Sequence, residues 1–193
     1  MVPLSTMTVD FTGVHSIIVD SVLGDDLACL TDELRPCRTL DWAMRHFSGD
    51  AHDSFYTAGY APDIVLTAGQ TFGPPTYFAG SMSLRSSAVI DKPLQMSFAL
   101  SEMATIDCSL GRGVLNARTP CFNVDGGVMT RLFMRGIRVI NGHASINAPP
   151  DTDVGGAMIV HLGVAVTIQD CIFERCTAAR GAAIYADDRS VLV

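Results

Sequence analysis

A phrase of six residues occurs twice in this 193-residue chain. Gly155-Gly156-Ala157-Met158-Ile159-Val160 is echoed 26 residues later by Gly181-Ala182-Ala183-Ile184-Tyr185-Ala186. Between them lies Val164-Ala165-Val166-Thr167-Ile168-Gln169-Asp170-Cys171-Ile172-Phe173. Each unit reads as small residues at a tight turn, a short strand, a second turn and a strand of period-2 alternation. A unit this short cannot bury its apolar face alone, so repetition implies stacking.

An earlier copy is visible. Leu132-Phe133-Met134-Arg135-Gly136-Ile137-Arg138-Val139 aligns with Val166 to Phe173 at an offset of 34. The surplus residues fit the segment 143–154, which contains Pro149-Pro150 and would bulge sideways while the stacked rung stays intact. The alignment predicts four stacked core pairs: Met134 with Ile168, Ile137 with Cys171, Val139 with Phe173, and Met158 with Ile184. Thr167 and Gln169 should then point away from the core.

The remainder is consistent with many short strands. Ser16-Ile17-Ile18-Val19 predicts a first strand. Thr39 suits a helix N-cap and Asp41 its first turn, with Leu40, Ala43, Met44 and Phe47 forming one apolar helical face. The segment 48–61 reads as loop. From Asp63 onward no helix is expected. Apolar bursts occur at Ile64-Val65-Leu66, Met82-Ser83-Leu84, Ala88-Val89-Ile90, Met96-Ser97-Phe98, Thr105-Ile106, Cys121 to Val124 and Arg131 to Met134. Frequent turn residues between short bursts indicate an all-β chain. A sandwich, a closed barrel and a solenoid all meet that description. The internal repeat favours the solenoid.

Three passages resemble the right-handed parallel β-helix proteins of the pectin lyase-like superfamily. They are Val19-Asp20 … Gly24-Asp25 … Pro36-Cys37-Arg38-Thr39-Leu40 … Ala43; Asp63-Ile64-Val65-Leu66-Thr67-Ala68-Gly69-Gln70-Thr71-Phe72; and Gly155-Gly156-Ala157 … Cys171 to Ala178 … Gly181 to Tyr185. The last is similar to the Gly-Gly-Ala-Ile and Phe-x-x-Asn repeats of surface β-helix proteins, polymorphic outer-membrane proteins among them. Cys176 stands where those repeats often carry Asn. The resemblance implies one β-helix domain over 16–193, a short capping helix near 39–47, and a poorly defined segment 1–15. It also implies an extracellular or cell-surface setting, although 1–15 shows no secretory signal. By the repeat, 190–193 falls inside a strand with no polar cap after it. The expectation is a truncated chain that associates end to end through 181–193.

Composition narrows the function. Charged residues are 17% and apolar ones 48%, which excludes a disordered chain. No apolar run approaches the roughly 20 residues of a transmembrane helix. The net charge is −7, without a basic stripe, which argues against nucleic-acid partners. The cysteines at 29, 37, 108, 121, 171 and 176 are either small buried apolar residues or partly disulfide-bonded. Cys29 and Cys37 are the best local pair, because they bracket a loop of turn-forming residues.

Enzymes of the superfamily hold calcium with acidic residues or cluster aspartates near a Gly-His-Gly element. Asp187-Asp188 and Asn141-Gly142-His143 are fragments of such elements without their surroundings. They read as a solvated turn and a loop. Asp151-Thr152-Asp153-Val154-Gly155-Gly156 matches half of a calcium loop, but Gly155 and Leu162 occupy ligand positions, so an EF-hand is excluded and calcium is at most a weak lateral ligand. Gly111-Arg112-Gly113 is too short to cradle a phosphate. Histidines 15, 46, 52, 143 and 161 are dispersed, and Trp42 suits packing on the first rung better than sugar binding. No catalytic, cofactor or metal residue is therefore assigned. The expected function is a non-catalytic structural or adhesive module whose partner is a carbohydrate or another surface protein. A polysaccharide lyase or hydrolase, or a fragment without independent function, are the alternatives. A cluster of charged residues on one outward face of adjacent rungs would favour the enzyme.

Overall fold

The computed structural model describes residues 16–30, 35–47, 63–75, 81–89, 99–110, 120–124, 130–144, 154–161, 163–188 and 190–193. Among them, strands β1 (Ser16–Val19), β2 (Asp63–Leu66), β4 (Met82–Ser86), β7 (Arg131–Arg135), β10 (Ala165–Gln169) and β13 (Val191–Leu192) form a six-stranded sheet in that order. Strands β3 (Thr71–Phe72), β5 (Ala104–Asp107), β8 (Ile137–Ile140) and β11 (Ile172–Glu174) form a second sheet. Strands β6 (Phe122–Val124), β9 (Met158–Val160) and β12 (Ile184–Ala186) form a third. Every pairing between these strands is parallel. From β4 to β12 the described strands visit the three sheets in turn three times, and β13 returns to the first; before that, β1 is followed by β2 of the same sheet, and β2 and β3 by β4. The strands of each later passage lie beside their counterparts from the passage before.

The register is the one the repeat demands. Ile168 pairs with Met134, Phe173 with Val139, and Ile184 with Met158. Ile172 pairs with Arg138, and one residue back along the same register Cys171 meets Ile137. Side chains alternate across a strand, so each register position continues as an inward row. Ile17, Ile64, Leu84, Met134 and Ile168 make one such row. Phe72, Ile106, Val139 and Phe173 make a second, and Phe122, Met158 and Ile184 a third. All three rows join one apolar cluster. Each fully buried aliphatic member contributes about 1.5–3 kcal/mol relative to exposure.

Corners recur at the same spacing as the strands. Gly136 and Asp170 both have positive φ between the first and second sheets, as Asn141 and Arg175 do after the second, and Gly155 and Gly181 before the third. The small residues of the repeated phrase answer a steric demand as well. A Cβ on Gly156 would lie 2.3 Å from the Ala182 carbonyl oxygen and 2.6 Å from that of Thr177. Adjacent passages touch there backbone to backbone.

Helix α1 (Leu40–Phe47) forms where expected and lies against β1, at the outer edge of the six-stranded sheet. Leu40, Ala43 and Met44 are buried. The Thr39 hydroxyl accepts the Trp42 N–H at 3.2 Å, which is an N-cap bond. No helix among the described residues is long and apolar enough to cross a membrane.

Two details differ from expectation. Ser87–Val89 is a single 3-10 turn, where an extended burst was predicted at Ala88-Val89-Ile90. The Ser87 hydroxyl accepts the Ala68 N–H at 2.9 Å, which ties the turn to the neighbouring passage. A second 3-10 turn, Leu100–Glu102, is closed by the Glu102 carboxylate accepting the Ala99 N–H. Residues 1–15, 48–61 and 96–98 and the side chain of Phe47 lie outside the described residues.

Met134→Ala should cost about 2–5 kcal/mol in chemical denaturation, because it empties a fully buried position. Ile184→Ala, at a half-buried position, should cost less than half as much. Gly156→Ala should cost at least about 2 kcal/mol despite adding one methyl group, because backbone cannot yield as a flexible side chain does.

Candidate functional site

The polar residues fall into three groups, each built across adjacent passages. The first holds the N-terminal loop. Asp20 Oδ1 accepts the N–H groups of Val22 and Leu23 at 2.9 and 2.8 Å and Gln70 Nε2 at 3.0 Å. Asp20 Oδ2 accepts the Thr67 hydroxyl. Gln70 in turn accepts the N–H and hydroxyl of Ser21. Burial pushes the Asp20 carboxyl up, but the bonds from Leu23, Gln70, Val22 and Thr67 outweigh it and hold the group below the usual carboxylate range. Asp26 accepts the N–H groups of Arg38 and Thr39 and the Thr39 hydroxyl, which positions the helix cap. A Cys29–Cys37 disulfide closes the same loop, as the local spacing suggested.

The second group is a set of charges on the outward side of the strands. Arg85 grips Asp63 with Nε and Nη2, at 3.0 and 2.6 Å, and Ser16 donates to the same carboxylate at 2.7 Å. Asp63 is buried. Arg135, also buried, reaches Asp170 at 3.5 Å. Arg138 binds Glu174 through both Nε and Nη2. Asp107 accepts Asn141 Nδ2 at 2.9 Å and both the hydroxyl and the N–H of Ser109. Burial raises its carboxyl, while Asn141, Ser109 and the charge of Arg175 together hold it below the usual range. Charged clusters on outward faces of adjacent strands are thus present. Each ion pair joins residues at least 22 positions apart in sequence, so no local motif announced them.

The third group sits beside the three-stranded sheet. Val160 pairs with Ala186, so the next residues, His161 and Asp187, come together. His161 Nδ1 lies 3.2 Å from Asp187 Oδ2, and Nε2 lies 2.6 Å from Asn123 Oδ1. Both ring nitrogens thus lie within hydrogen-bonding distance of an oxygen atom. The Asn123 amide can turn over and present Nδ2 to the ring in place of Oδ1. An oriented imidazole beside a carboxylate is able to move a proton. Arg180 stacks on the neighbouring Tyr185 ring, 5.6 Å from its centroid.

Of the residues singled out from sequence, Asp187 therefore meets His161, while Asp188 sits exposed in the following turn. His143 bonds the Thr177 hydroxyl at 2.6 Å on the adjacent passage, and its bonded partner is not an aspartate. Trp42 is half-buried and packs on the core. Gly111-Arg112-Gly113, Asp151 to Asp153, Leu162, His15, His52 and the side chain of His46 lie outside the described residues. Gly156 serves the close contact between passages, and Gly155 takes a left-handed turn against Met158 of its own passage. Among the described residues no group of three His, Cys, Asp or Glu is placed to hold a metal ion.

Cys108 and Cys121 form a second disulfide, whereas Cys171 and Cys176 are thiols. Burial drives the Cys171 thiol up to about 11, so it stays protonated and unreactive at neutral pH. No protein-family model, curated protein or solved structure matches this chain.

Two thiols should titrate in the denatured, unreduced protein and six after reduction. For Asp20, a carboxyl held below its usual value stabilises the fold above about pH 4, and that contribution disappears as the pH falls through the folded value. Asp20→Ala should lower stability at neutral pH by about 1–3 kcal/mol, because it strands the N–H groups of Val22 and Leu23. It should also flatten the acid limb of a stability-against-pH curve.

Proposed function

We propose that residues 16–193 form a right-handed parallel β-helix of the pectin lyase-like kind, with α1 covering its first rung. We infer that it serves as a non-catalytic structural or adhesive module outside the cell. Parallel strands in repeat register, visited sheet by sheet, support the winding. Buried Val19, Leu40, Ala43 and Met44 at the β1 edge support the cap. Two disulfides support an oxidising setting, where such bonds persist.

The observation that carries the non-catalytic assignment is the pairing of the outward charges. Asp63 with Arg85, Arg135 with Asp170 and Arg138 with Glu174 form ion pairs across passages. Charges so committed hold neighbouring rungs together and present a rigid, largely neutralised wall. Such a wall suits the display of loops to a carbohydrate or to another surface protein. A second function, hydrolysis or elimination on a polysaccharide, is favoured by the Asn123–His161–Asp187 group and by the presence of charged clusters on outward faces of adjacent strands.

The two separate in one assay. The protein incubated with polygalacturonate, with and without calcium, should release neither reducing ends nor unsaturated uronides. Product formation that His161→Ala abolishes, with the circular dichroism unchanged, would replace the structural module with an enzyme.

A further inference from the structure

Asn141-Gly142 is the only Asn-Gly pair in the sequence; the other asparagines precede Ala or Val. With no side chain on the glycine to shield its nitrogen, this dipeptide loses its side-chain amide more readily than any other. The glycine nitrogen attacks the asparagine Cγ, ammonia leaves, and water opens the resulting succinimide to aspartate or isoaspartate. The corner calls for both residues. A Cβ on Gly142 would lie 2.6 Å from the Gly156 carbonyl oxygen and 2.8 Å from the Ala157 nitrogen, so only glycine fits. Asn141 has φ 59°, a left-handed conformation that asparagine enters more readily than most residues. Arg175 takes the same turn one passage on, at φ 53°. The turn alone therefore does not require an amide side chain; the bond to Asp107 does.

The neighbouring passages hold each reacting group. Asn141 Nδ2, the leaving group, donates to Asp107 Oδ1 at 2.9 Å in the passage before. A bond to a carboxylate is among the stronger ones available. In the passage after, the Asn141 N–H donates to the Glu174 carbonyl at 3.1 Å, and the Gly142 carbonyl accepts the Thr177 N–H at 2.8 Å. Burial pushes the Cys176 thiol up, and the Gly142 N–H bonded to its sulfur opposes that shift. The attacking nitrogen thus has a partner of its own. The peptide plane that must rotate to carry it to Cγ is pinned on both sides.

We propose that Asn141 is a latent deamidation site, closed by its neighbours in the stack and opened when the passages separate. Asp107 is its positioning residue, and water is the co-reactant. Aspartate at 141 would set a second carboxylate against Asp107. Isoaspartate would lengthen the main chain inside the ladder. A chain that has opened is thereby marked covalently. This holds whether the chain adheres or hydrolyses.

Peptide mapping by mass spectrometry tests it, after incubation of the full chain at mildly alkaline pH, folded and in urea. Asn141 should convert at least about tenfold more slowly in the folded chain, the factor that a hydrogen bond to a charged group is worth. In the folded chain, Asp107→Ala should raise the rate by about that factor. Cys176→Ala, which releases the Gly142 N–H, should raise it too. Ser109→Ala removes another bond to the same carboxylate and should leave the rate near that of the wild type. Each variant is read with its far-UV circular dichroism. Equal rates in the folded and unfolded chain overturn the proposal. So does an Asp107→Ala chain of native spectrum that converts no faster than the wild type, or a Ser109→Ala chain that converts as fast as Asp107→Ala. Should Asp107→Ala fail to fold, the comparison with urea and Cys176→Ala still decide.

Discussion

Parallel pairing between counterpart strands is the constraint on which the rest of this structure depends. A parallel ladder needs a long crossover between neighbours. Here, from β4 to β7 to β10 to β13, the crossover is the passage through the other two sheets. Backbone groups of the inner strands are then satisfied by residues one passage away, and the inward side chains of paired strands sit over their counterparts. A shift of one residue would turn whole rows of Ile, Leu and Met outward. The apolar rows and the hydrogen-bonded ladders therefore enforce the same register, and neither could hold it as firmly alone.

The polar residues extend that logic to the outer surface. A carboxylate such as Asp63, buried on the outward side of β2, would be costly without a partner. Arg85 arrives from the next strand to grip it, and Ser16 from the preceding one. Asp20 does the same for the N-terminal loop, by gathering donors from its own turn and from Thr67 and Gln70. The hydrophobic rows set the spacing between passages, and these polar bonds fix passages and loops to one another. Left-handed corners at Asn141, Asp170 and Arg175 cost some backbone strain. They recur because the turn is required at each passage, whatever residue occupies it.

Much of the fold was legible in the residues. The 26-residue echo and the 34-residue alignment matched three stacked pairs directly and a fourth by extension, although the connections between them differ in length. The cap at Thr39, the strand at Ser16–Val19 and the Cys29–Cys37 pair were legible because each is a local matter of a few neighbouring residues. The 3-10 turn at Ser87–Val89 was not, because the bond that ties it comes from Ala68 in another passage. The Asn123–His161–Asp187 group was hidden for the same reason. Nothing near Asp187 in sequence says that it lies beside His161, and the histidines look dispersed when read along the chain.

What the sequence by itself determined is the alternation of apolar residues and the placement of small residues at turns, since steric and hydrophobic demands act on neighbours. These were enough for short strands arranged in repeats. Only the tertiary structure decided which polar side chains meet and how the passages lie against α1. Those depend on how much chain each passage spends in its connections, and on where α1 settles. A pattern of neighbours carries no record of either.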